Sequence, residues 1–211
     1  MNLWWFSFSG VEYGKDGEAL VLKCSGATSS NLVTWNKVGP PDKTIATSSF
    51  GVNPDYPHIS WSYDLTAGFS QITIDPLIAA YTGEYRCTWT KGTENQETTY
   101  DVELAVAPTL AALTMKIDNA DPPTVVWVAG RTKSVSCECT DGGPAPIVTL
   151  YQDGTVLKIG TTSVSASITL TKTPTLTKVL KCIAENVAAA IEKTTTVTVK
   201  CMYAFRISVI V

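Results

Sequence analysis

The stretch Gly83-Glu84-Tyr85-Arg86-Cys87-Thr88-Trp89 limits more than any other what this chain can fold into. Tyr85 and Cys87 are two apart, so on an extended strand both side chains point to one face, and Trp89 joins them there. Sixty-three residues before Cys87 lies Cys24, inside the apolar run Ala19-Leu20-Val21-Leu22-Lys23-Cys24. Trp35 follows in Leu32-Val33-Thr34-Trp35. Large, apolar and sulfur-bearing side chains at alternating positions predict buried strand faces and a chain built from strands.

Composition agrees. Hydrophobic residues make up 45 % of the 211 and charged ones 17 %, enough to bury a core and too few charges for a disordered chain. The length accommodates two ordinary domains. No segment carries a long helical period. The net charge of −3 offers no basic stripe, which argues against a protein that binds nucleic acid through its backbone. Six cysteines in such a chain point to an oxidising compartment.

The set Cys24, Trp35, Tyr85 and Cys87 resembles the immunoglobulin family. There, two cysteines bridge strands B and F of a β-sandwich, a tryptophan on strand C packs on the bridge, and the tyrosine makes a corner hydrogen bond. The resemblance implies an all-β fold of two tandem immunoglobulin-like sandwiches. Residues 1–107 are similar to a variable-type domain, with strand C over 31–37, C′ over 43–48, a further strand over 58–62, E over 69–74 and G over 98–107. Val102, Leu104 and Val106 share one face of strand G. Ala107-Pro108 is a stiff junction. Residues 109–201 resemble a shorter constant-type or intermediate-type domain. Ser134-Val135-Ser136-Cys137 stands for strand B and Val179-Leu180-Lys181-Cys182-Ile183-Ala184-Glu185-Asn186 for strand F. The family pattern implies disulfides Cys24–Cys87 and Cys137–Cys182. A Cys139–Cys201 bridge or a zinc site among the second domain's cysteines fits strand geometry less well.

Two positions depart from the family. Tyr81 stands where an aspartate normally makes an ion pair, and strand G lacks Phe-Gly-x-Gly. In the second domain Leu150 and Leu180 replace the core tryptophan and the corner tyrosine.

No constellation for catalysis stands out. His58 is the one histidine, without a nucleophile at motif spacing, and reads as a surface or half-buried residue. The carboxylates are scattered, and neither a metal-ligand pattern, a phosphate loop nor any cofactor motif occurs. No Asn-x-Ser/Thr sequon is present. The apolar opening, residues 1–10, lacks a basic leader region and is read as part of the first strand rather than as a signal peptide. Residues 202–211 form an apolar tail too short to span a bilayer: the start of a membrane anchor, an alternative end, or an extra strand.

The resemblance implies a non-enzymatic, extracellular or cell-surface recognition protein. Its partner would be a protein, either itself or another immunoglobulin-family surface protein, met through the outer face of the first domain's G-F-C sheet. Alternation places Leu32, Thr34 and Asn36 outward on strand C and Glu84, Arg86 and Thr88 outward on strand F. An immune-type receptor binding antigen or microbial ligands through its loops is the alternative. An intracellular structural module of the muscle type, a third, predicts free thiols.

Overall fold

The computed structural model describes residues 7–27, 32–64, 66–122, 125–171 and 177–200. Asn31, Cys201, the tail 202–211 and the opening residues 1–6 lie outside them. The chain divides into two compact units, Met1–Val106 and Ala107–Val211.

The first unit contains nine described strands: β1 Ser7–Gly14, β2 Leu20–Ser25, β3 Val33–Lys37, β4 Lys43–Thr47, β5 Gly51–Val52, β6 Ile59–Asp64, β7 Phe69–Ile74, β8 Gly83–Lys91 and β9 Glu94–Leu104. They form a six-stranded sheet, β1-β9-β8-β3-β4-β5, and a three-stranded sheet, β2-β7-β6. Strand β1 runs parallel to β9; the other pairs are antiparallel. In family lettering β2, β3, β7, β8 and β9 are B, C, E, F and G. The extra strands β4 and β5 extend the G-F-C sheet, as in variable-type domains.

Alternation explains why these segments are strands. In β7, Ser70, Ile72 and Ile74 are buried while Phe69, Gln71 and Thr73 are half-buried. Leu22, Cys24, Val33, Trp35, Ile45, Ile72, Ile74, Leu77, Tyr85, Cys87 and Val102 meet between the sheets. The Trp35 indole N–H donates to Ser70 Oγ at 3.0 Å, and the Trp61 indole N–H donates to the same oxygen at 2.8 Å. A hydroxyl has two lone pairs, so one small residue satisfies both tryptophans.

Strand G differs from its expectation. It starts at Glu94 rather than residue 98, because Lys91 and Glu94 close a two-residue hairpin turn with Gly92 at φ +65°. It ends at Leu104. Val102 is buried and Leu104 packs on the core, but Val106 is 62 % exposed and does not share their environment. The ladder closes with Ala105 N–H donating to Gly14 O, and the chain then turns away toward Pro108, which has no N–H to continue it.

The second unit contains β10 Leu113–Ile117, β11 Val125–Val128, β12 Thr132–Cys139, β13 Ile147–Gln152, β14 Thr155–Thr161, β15 Ser163–Thr169, β16 Thr177–Glu185 and β17 Ala190–Lys200. Its sheets are β10-β12-β15 and β11-β17-β16-β13-β14. Strands β12, β13, β15, β16 and β17 correspond to B, C, E, F and G. Strand β14 pairs with β13 in the G-F-C sheet, whereas the constant arrangement puts a fourth strand beside E. The switch from β14 to β15 is tight. A side chain at Gly160 would meet Ser163 O at 2.8 Å, so glycine is required there.

Leu150 and Leu180 are buried where the first unit has Trp35 and Tyr85. The large aromatic of this core comes from another strand. Trp127 on β11 is fully buried, and its N–H donates to Arg131 O at 2.7 Å.

Candidate functional site

Each unit joins its sheets by one disulfide: Cys24–Cys87 in the first and Cys137–Cys182 in the second. The spans of 63 and 45 residues each correspond to about 4 kcal/mol of loop entropy removed from the unfolded chain. Cys139 is free and buried at the end of β12, with its Sγ 3.6 Å from Asp141 Oδ1; burial raises its thiol pKa.

Tyr85 makes the tyrosine corner. Its hydroxyl donates to Tyr81 O at 2.5 Å, and burial holds the phenol far above its ordinary pKa. Instead of an aspartate's ion pair, the Tyr81 ring stacks on His58, with centroids 3.4 Å apart and planes 3° from parallel. His58 is half-buried in the turn before β6. Burial, and secondarily the charge of Lys37, lowers its pKa. Lys37 in turn lies over the Tyr85 ring and donates to Ala80 O at 3.3 Å.

The six outward residues fall at the following places. The β3–β8 ladder sets Thr34 opposite Thr88 and Asn36 opposite Arg86, with Trp35 and Cys87 between them on the buried side. Leu32 is 55 % exposed and lies just before β3, not within it. Glu84 is exposed and pairs in register with Asp101 of β9. Arg86 forms an ion pair with Asp42 from the β3–β4 turn, and Asn36 Oδ1 accepts from the Thr44 hydroxyl at 3.0 Å. Along β9, Glu97, Thr99, Asp101 and Glu103 continue the same face. The face is polar, rich in threonine and acidic along its β9 side. Sequence reasoning did not find Asp42, because a turn residue six positions from Asn36 reaches Arg86 only once β3 and β8 are paired.

Among the described residues, no group of three or more His, Cys, Asp and Glu side chains is placed to hold a metal ion. No described helix is long and apolar enough to cross a membrane.

Two sandwiches in tandem, each with a B–F bridge and the first with a tyrosine corner, define the class by fold: each unit is an immunoglobulin-type β-sandwich. Within that class the chain is similar to nephrin of Rattus norvegicus, at 27 % identity over 152 residues, covering 68 % of this chain and 11 % of nephrin. The chain thus corresponds to a small part of that relative's length. No family model matches the chain. Among solved structures, an I-band fragment of titin aligns over 90 % of this chain and 63 % of its own, with a TM-score of 0.48 and 15 % identity. The second immunoglobulin domain of the mouse polymeric immunoglobulin receptor covers 48 % of this chain and 99 % of its own, with a TM-score of 0.39 and 18 % identity.

Proposed function

We propose that this chain is a non-enzymatic recognition module of an extracellular or cell-surface protein, and that it mediates adhesion by holding a protein partner on the outer face of its first unit. The partner is another copy or a second immunoglobulin-type surface protein. The observation that supports this reading most directly is the register of β3 on β8, which gathers Thr34, Asn36, Arg86 and Thr88 into one patch. Glu84 continues the patch along β8 and Leu32 stands at its end. Arg86 and the exposed Leu32 stand at opposite ends of this patch, and arginine and apolar side chains on one face are a combination found at protein interfaces. The two bridges fit an oxidising location.

The test is the double variant Leu32→Asp/Arg86→Glu in a cell-aggregation or cell-binding assay. Both residues lie at the surface, and an exposed ion pair is worth little to stability, so the variant should fold as the parent does. Adhesion should fall at least tenfold. A folded double variant that binds cells as well as the parent would sink the proposal.

A further inference from the structure

The same face of the second unit has a different character. On β13, Val148 and Leu150 point into the core, so Ile147, Thr149 and Tyr151 point outward. The ladders place Thr149 between Ile159 of β14 and Ile183 of β16. Tyr151 lies between Val156 and Lys181, and Ile147 between Thr161 and Glu185. Ile147 is 49 % exposed, Val156 47 %, Ile159 59 % and Val179, further along β16, 41 %. Thr149, in the middle, is only 7 % exposed because its apolar neighbours cover it. Scattered exposed apolar residues are ordinary, but a contiguous apolar sheet face marks an interaction surface.

We infer that the outer face of β14, β13 and β16 in the second unit is a self-association surface that docks against the same face of a second copy of this chain. Charge selects this occupant. The Lys181 ammonium lies 3.3 Å from Glu192 Oε2 and 5.3 Å from the Tyr151 ring centroid, so the central cation is already neutralised within the face. Glu185 sits at the margin, in register with Ile147. Two such faces can meet without stranding an unpaired buried charge, which a two-fold contact requires because it sets a patch against itself. The corresponding face of the first unit is a poor counterpart. Covering the isoleucines with Glu84, Glu97, Asp101 and Glu103 would desolvate carboxylates with no cation opposite.

Size sets the strength. Three neighbouring strands about 4.8 Å apart, each about six residues long, give a footprint of roughly 10–14 Å by about 20 Å. That is below the size of standard specific interfaces, so the contact is a weak, transient one and the dimer should dissociate in the high micromolar range or above.

The test is sedimentation velocity of the full chain from about 1 µM to about 1 mM. The parent should move from monomer to dimer. Ile159→Asp, at an exposed position, should weaken the dimer at least tenfold. The double variant Ile147→Thr/Ile159→Thr removes apolar area without adding charge, keeps strand-forming residues and should do the same. Near-ultraviolet circular dichroism confirms that each is folded, and if Ile159→Asp fails to fold the threonine variant decides. Val21→Thr, at an exposed position on β2 of the first unit and outside both faces, should leave the dimer unchanged. A parent that stays monomeric throughout overturns the inference, with the face then left to another protein or a lipid surface. So does a dimer that survives in the folded face variants, or one lost only in Val21→Thr. The adhesion assay of the first-unit variant is read separately, so either proposal can fail alone.

Discussion

Ser70 illustrates how much one small side chain carries. It is fully buried on β7, and its hydroxyl oxygen accepts from both Trp35 and Trp61. Ser70→Ala removes the acceptor and leaves two indole N–H groups without a partner. The buried Trp35 N–H alone should cost about 1–3 kcal/mol, and the half-buried Trp61 less. Urea unfolding of the first unit's transition checks this; a midpoint unchanged from the parent would mean that water or a rotamer change replaces the hydroxyl. In a Trp35→Phe background the same substitution should cost less, because the main orphan is gone. Trp35 was readable from its spacing to Cys24, but Ser70 was not. Nothing on a strand's own alternation says which buried serine will face an indole from the opposite sheet.

The contact between the turn before β6 and the short 3-10 turn Ala79–Tyr81 shows the same logic between elements. The family's aspartate would tie these segments by charge; here the His58–Tyr81 stack does so. The pH dependence follows with a definite sign. His58 has a lowered folded-state pKa, from burial first and Lys37 second, so the folded state holds the neutral ring. Its contribution is complete above about pH 6.5, the ordinary histidine value, and is lost as pH falls toward the depressed value. Melting temperature should therefore drop as pH falls below about 6.5, and His58→Phe should flatten that slope. As the chain's one histidine, it gives a clean readout. A variant that keeps the parent's slope would show that carboxylates, not His58, set it. Most elements were legible from alternation. Strand E over 69–74 appears with the bounds read from the sequence. Strand G begins at Glu94, four residues before the position its apolar alternation predicts, because a two-residue turn at Gly92-Thr93 is chosen by the pairing of β8 with β9, not by the local apolar pattern.

At the scale of the molecule, charge is divided unevenly. Residues 1–106 hold twelve acidic and six basic side chains, and residues 107–211 hold seven and ten. The units thus carry −6 and +3, which make up the chain's −3. Two copies meeting through their second units bring like net charges together, while the contact itself is apolar. Salt screens the repulsion and leaves the apolar term nearly untouched. Self-association should therefore tighten several-fold between about 10 mM and about 150 mM salt, measured by sedimentation. An association driven by the charged first-unit face would weaken instead, and that result would count against the second-unit contact.

The sequence by itself determined the all-β class and most strands, because a strand's alternation and a turn's glycine or proline are local properties. It also indicated which first-unit residues point outward, since that follows from which neighbours point in. Partners across the sandwich were decided only in the folded chain. The Ser70 acceptor, the Asp42–Arg86 pair, the Tyr81–His58 stack and the placement of Trp127 in the second core all join residues from different elements. The apolar face of the second unit belongs to the same group. Ile147, Ile159 and Ile183 each look like ordinary core residues along their own strands. Only the pairing of β13 with both β14 and β16 places all three on one side of a sheet, and Val148, Leu150 and Ala184 already fill the other side.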